Sequence, residues 1–184
     1  MILEVVIYPD LRLSQKSRKA VVNDDLKALV QDMLDTMNSY KDPTAAGLSA
    51  VQVGTPLKML IARDFITQPD TSPHDNTKKA NVVVKDYVLV NPKYISLSKE
   101  KEIDWEGCLS FPDQYGKVER HYKIKLKYQN TDGAEERLTA SGFLARVIQH
   151  EMDHLDGITF NTKVIGKMFT GEELDTKTKE NIID

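Results

Sequence analysis

Gln149-His150-Glu151-Met152-Asp153-His154-Leu155 sets two histidines four positions apart. On a helix such residues lie on one face, so both imidazoles can reach one metal ion. Glu151 follows the first histidine and can stand beside an activated water as its proton acceptor. Leu144, Val147, Ile148, Met152 and Leu155 surround the pair with apolar side chains, which predicts a central, buried helix. Ser141 is placed to cap that helix and Gly157 to end it. The competing reading is two surface histidines that share a face by accident. The rarity of the spacing favours a hydrolytic metal site.

Working outward, Asn23 or Asp24 can cap an N-terminal amphipathic helix reaching Tyr40. Its buried stripe is Leu26, Leu29, Val30, Met33, Leu34 and Met37. Residues 57–62 read as a buried strand, and 82–90 and 93–98 as strands broken at Asn91-Pro92. Residues 118–128 and 137–139 read as a hairpin turning at Thr131-Asp132-Gly133. Lys123, Lys125 and Lys127 alternate with Ile124 and Leu126 as its wet face, and His121 at its start reads as structural. Residues 66–79 are polar and aperiodic, an exposed loop in which His74 is solvated. Strands followed by one long helix indicate an α+β fold. Residues 1–165 form one catalytic domain in this reading, and 166–184 form a tail, with 171–180 a short helix or frayed.

Two further segments supply what a catalytic metal needs. Cys108, the only cysteine, lies in Glu106-Gly107-Cys108-Leu109-Ser110. A lone cysteine is most often a small buried hydrophobe. Here a third ligand is missing, and thiolate suits zinc or ferrous iron. Two imidazoles and one thiolate leave a tetrahedral ion one open position, the mark of a catalytic rather than a structural site. Gly47-Leu48-Ser49-Ala50-Val51-Gln52 is a small-residue turn leading to a glutamine, weak by itself.

Together the three segments, in this order, resemble the motifs of the peptide deformylase family, over most of residues 1–160. The resemblance implies small antiparallel sheets packed around the helix that presents the histidines. It also implies a hydrolase that removes the formyl group from N-formylmethionyl nascent peptides, met at the ribosome, and releases formate. His150, His154 and Cys108 would hold one divalent ion, with Fe2+ as the working metal and Zn2+ or Ni2+ able to take the same ligands. Glu151 would move the proton. The Gln52 side-chain N–H and the Leu109 backbone N–H would donate to the developing oxyanion. Glu106 and Arg120 would form a structural ion pair bracing the cysteine loop. Ala46, Gly47, Phe143 and Val147 are candidates for the pocket that holds the methionine side chain, with plain core packing as the alternative.

Departures from the family pattern fall at three positions. Ala45 stands where a glycine is usual, which is costly if the position needs φ > 0. Ser49 replaces a usual alanine. Tyr115 stands where some members carry an arginine that contacts the peptide.

Two rival functions are separable. A zinc endopeptidase would take its third ligand downstream of the helix, where the candidates are carboxylates such as Asp156, Glu172 and Glu173. A non-catalytic, metal-stabilised binding module would need neither Glu151 nor Gln52. The net charge of −3 over 184 residues, with scattered basic residues, leaves no footprint for nucleic acid. The absence of long apolar runs argues against a membrane span. A single cysteine suits a reducing compartment, and the N-terminus does not read as a signal peptide, so the expected location is cytoplasmic.

Overall fold

The computed structural model describes residues 1–41, 44–68 and 81–179. It contains helices α1 (Asp24–Ser39), α2 (Gly142–Leu155) and α3 (Gly171–Lys179). Its strands are β1 (Gly47–Ser49), β2 (Met59–Gln68), β3 (Asn81–Leu97), β4 (Lys101–Cys108), β5 (Phe111–His121), β6 (Lys123–Gln129) and β7 (Glu135–Ser141). Five strands form one antiparallel sheet in the order β1-β2-β3-β6-β7, and β4 and β5 form a separate hairpin. The fold is α+β, built of small antiparallel sheets with few helices.

The alternation of β2 explains how the large sheet is covered on both faces. Leu60 and Ala62 face one way and pack with Leu144, Ala145 and Ile148 of α2. Met59 and Ile61 face the other way and pack with Leu26, Val30, Met33 and Met37 of α1. Side chains one residue apart on a strand must point to opposite faces, so a continuous apolar run marks a strand buried on both. A third cluster of Phe111, Val118 and Phe160 lies at the hairpin, with Cys108 against it.

Asn23 caps α1 through its side chain, which accepts from the Leu26 N–H at 2.9 Å. Ser141 occupies the capping position of α2, but its side chain makes no capping bond. Gly142 instead adopts φ 56°, and its N–H donates to the Tyr122 carbonyl. Gly157 ends α2 at φ 74° and donates to the His154 carbonyl.

Three expected boundaries differ. Asn91-Pro92 does not break the strand: β3 runs through it as an irregularity, with Asn91 at φ 51° and its amide tied to Ala20 and Gln129. The side chain supplies the pairing that proline's missing N–H removes. Residues 118–128 are not one strand either, because the chain changes sheets at Tyr122 between β5 and β6. The strand β2 continues to Gln68, into the expected loop. The rest of that loop, His74 included, lies outside the described residues. No helix among the described residues is long and apolar enough to cross a membrane.

Candidate metal centre

Three elements meet where the hairpin approaches α2. The four-residue spacing brings His150 and His154 to one face of α2, and β4 ends on Cys108 beside them. One donor atom from each of Cys108, His150 and His154 lies within 4.8 Å of the others. Cys108 Sγ is 3.3 Å from His154 Nε2. Both histidines are buried and Cys108 is partly buried. None of Asp156, Glu172 and Glu173 joins this cluster among the described residues.

The residues around the donors orient them. Glu106 receives the Arg120 guanidinium twice, at 2.8 and 2.9 Å, and lies 3.0 Å from His150 Nδ1. Burial alone would push the Glu106 pKa up. Hydrogen bonds from Arg120 and His150 outweigh burial and hold it well below the ordinary carboxylate range. An ionised carboxylate can only accept, so His150 carries its proton on Nδ1 and turns Nε2 towards the sulfur. Burial disfavours charge on both imidazoles. At His150 the Cys108 and Glu106 side chains outweigh it and hold the pKa well above its ordinary value. At His154 burial, reinforced by the charge of His150, pushes the pKa well below. A proton shared among such donors is what a divalent cation displaces on binding, so the donor set fits one.

Glu151 is buried, and its Oε2 has no hydrogen-bond partner among the described residues. Burial pushes its pKa up to about 7. Gly47 makes room for it: a Cβ there would meet Glu151 Oε1 at 2.5 Å and Val147 Cγ1 at 2.9 Å.

Gln52 is held from both ends of its amide. Its Oε1 accepts from the Ser49 N–H at 2.9 Å and the Ser49 hydroxyl at 2.8 Å. Its Nε2 therefore faces the cysteine loop, 3.4 Å from Cys108 Sγ and 3.2 Å from Ser110 Oγ. The N-terminal segment joins the two loops, with the Val6 N–H on the Gln52 carbonyl and the Tyr8 N–H on the Ser110 carbonyl.

A cavity of about 430 Å³ opens beside the donors. Ala46, Gly47, Gln52, Leu109, Phe143 and Val147 all line it. Phe143 is half exposed and packs on Phe65, so it stands at the rim. Ala45 is buried, and among the described residues the positive-φ residues other than glycine are Asn91 and Asp113, so alanine costs no backbone strain there. Tyr115 lines the cavity with its ring against the Gly107 Cα, where a Cβ would come within 2.9 Å of it.

Sequence reasoning left three contributors without a role. Gln149 brackets β5 by accepting from the His121 N–H and donating to the His121 carbonyl. Asp153 pairs with Arg120 and Lys163. Arg146 is buried on the histidine face of α2. Its signal was available, because a charged residue in an apolar helical run needs a partner.

The fold and this convergence define an α+β domain with a His-Glu-x-x-His helix and a candidate metal centre. The chain belongs to the peptide deformylase family: the model of the family described as Polypeptide deformylase matches residues 2–168. It is 39% identical over 160 residues to the peptide deformylase of Wolbachia sp. subsp. Drosophila simulans (strain wRi), covering 86% of this chain and 85% of that one. The crystal structure of peptide deformylase from Thermotoga maritima superposes with a TM-score of 0.75 at 28% identity, covering 90% of this chain and 99% of that one. A Met-Ala-Ser-bound class I type b peptide deformylase from Acinetobacter baumannii gives a TM-score of 0.74 at 29% identity, covering 89% and 99%.

Proposed function

We propose that this chain is a metal-dependent hydrolase that removes the formyl group from N-formylmethionyl ends of newly made polypeptides and releases formate. The observation that carries this reading is the convergence of Cys108, His150 and His154, from two distant motifs, beside the buried carboxylate of Glu151. Family membership supports the reaction, and the Met-Ala-Ser complex of the Acinetobacter baumannii relative supports a peptide beginning with methionine as the occupant of the cleft.

Cys108, His150 and His154 would hold one divalent ion, which supplies Lewis acidity and lowers the pKa of water towards about 7. Fe2+ is the working metal in this reading, and Zn2+ or Ni2+ take the same ligands. Glu106, braced by Arg120, keeps His150 in the tautomer that leaves Nε2 for the ion. Glu151 takes a proton from the attacking water and returns it to the leaving amine. A base poised near neutral pH is suited to both halves of that transfer. Gln52 Nε2 and the Leu109 N–H donate to the carbonyl oxygen as it gains charge, each contributing about 3 kcal/mol in comparable sites. Ala46, Gly47, Phe143 and Val147 hold the methionine side chain. The substrate is met in the cytoplasm as it leaves the ribosome.

Anaerobic assay of formate release from a formyl-Met-Ala-Ser peptide tests the proposal. The iron-loaded protein should turn over, a chelator should abolish the activity, and added Fe2+ should restore it. A fully metallated protein that releases no formate would overturn the reading.

A further inference from the structure

Arg146 has no part in the reaction just described, yet it is among the most heavily engaged side chains of the molecule. It stands one helical turn before His150, so Arg146, His150 and His154 lie at four-residue spacing along one face of α2. Its side chain is only 6% exposed. One terminal nitrogen donates to Glu106 Oε1 at 3.0 Å and to the Val118 carbonyl at 2.8 Å. The other donates to the Glu102 carbonyl at 2.8 Å. A single guanidinium on α2 therefore grips both strands of the β4–β5 hairpin.

We propose that Arg146 is a positioning residue for the metal centre: it clamps the hairpin that carries Cys108 onto the helix that carries His150 and His154. The inference rests on reading those three residues as the ligands.

The need for a clamp follows from the topology. Two of the three donors sit on one helix and keep their spacing without help. The third comes from a two-stranded hairpin that, among the described residues, pairs with no strand of the larger sheet. Nothing in the sheet hydrogen bonding fixes the distance between Cys108 and the histidines. Arg120 joins β5 to β4 through Glu106, and reaches α2 through the part-buried Asp153. Arg146 reaches backbone carbonyls of both hairpin strands, which cannot rotate away as side chains can. It also grips Glu106, two residues before Cys108 and in contact with His150. Only the flat, multi-donor fork of arginine meets acceptors in three directions at once, and a lysine ammonium supplies the charge without the fork.

Cobalt(II) is the probe, because a bound thiolate gives it an intense near-ultraviolet charge-transfer band. The full-length chain is loaded with Co2+, the band is recorded, and release to excess chelator is timed. Wild type should show the band. Arg146→Met should shift or weaken it and release cobalt about 10–100-fold faster, the usual scale for loss of a residue that orients a ligand. Arg146→Lys should fall between the two. A lowered melting temperature with band and release unchanged overturns the clamp, because a merely structural arginine would behave that way. If the methionine variant does not fold, wild-type release from the lysine variant overturns it equally. A wild-type protein that binds cobalt without a thiolate band overturns the ligand reading itself, and the clamp with it.

Discussion

Glu151 and Gln52 both line the cavity beside the donor cluster and are held in different ways. Glu151 is buried with one oxygen unpartnered, so its environment favours taking up a proton. Glu151→Gln preserves shape but cannot accept that proton. The variant should keep its metal and lose at least ~10²-fold in turnover. Metal content measured beside formate release checks this, and near-normal turnover with metal bound excludes Glu151 as the base. Gln52→Leu should lower kcat by about 10²–10³ with little change in KM, because the contact is made chiefly in the transition state. Leucine also removes the acceptor of the buried Ser49 N–H, so stability should fall by about 1–3 kcal/mol. The deciding quantity is therefore kcat per folded, metal-loaded molecule. A change confined to KM would move Gln52 to ground-state binding. Cys108→Ala, by contrast, should sharply reduce metal occupancy in elemental analysis, and a tight stoichiometric ion in that variant would remove Cys108 from the site.

Helix α2 is tied to neighbouring segments at both ends. At the start, the Gly142 N–H goes to the Tyr122 carbonyl, where the chain leaves one sheet for the other. At the end, the Ser17 N–H takes up the Leu155 carbonyl, and Gly157 turns the chain away at φ 74°. A Cβ on Gly157 would lie 2.5 Å from the Ser14 carbonyl oxygen, which is backbone and cannot swing aside. Gly157→Ala therefore meets both a disfavoured conformation and a clash, and should cost at least about 2 kcal/mol. Urea unfolding should show the midpoint fall with the m-value unchanged. An unmoved midpoint would mean that the N-terminal segment does not pack against this turn in solution.

On the scale of the whole molecule, the site is a seam. The five-stranded sheet and its helices carry the histidines and Gln52, while the separate hairpin carries Cys108. An ion bound there joins the two parts, so removing it should lower the melting temperature. At a free metal concentration 100-fold above Kd the ion contributes about 2.7 kcal/mol. The open side of the site faces a cavity that admits small molecules, and a Cys108 thiolate bound to iron would be an oxidisable ligand. Activity of the iron form should decay in air, and the nickel and zinc forms should last longer. Equal lifetimes for the three metals would dispose of this expectation.

The pairing of His150 with His154, the approach of Glu151 and the cap at Asn23 all depend on residues within one or two helical turns. Local geometry decides them, so they are legible in the amino-acid order. The burial of Ile124 and Leu126 between exposed or half-exposed lysines is equally local, because strand alternation alone assigns the faces. What lay beyond the sequence is everything that depends on where distant segments settle. The break expected at Asn91-Pro92 closed because the Asn91 amide found Ala20 and Gln129, 71 and 38 residues away. The strand expected across residues 118–128 divided because its two halves pair in different sheets. Arg146 showed itself as an oddity of composition, and only the docked hairpin supplied its acceptors. Short-range periodicity is written residue by residue, whereas hydrogen-bond partners across 40 residues are chosen by the packing of complete elements.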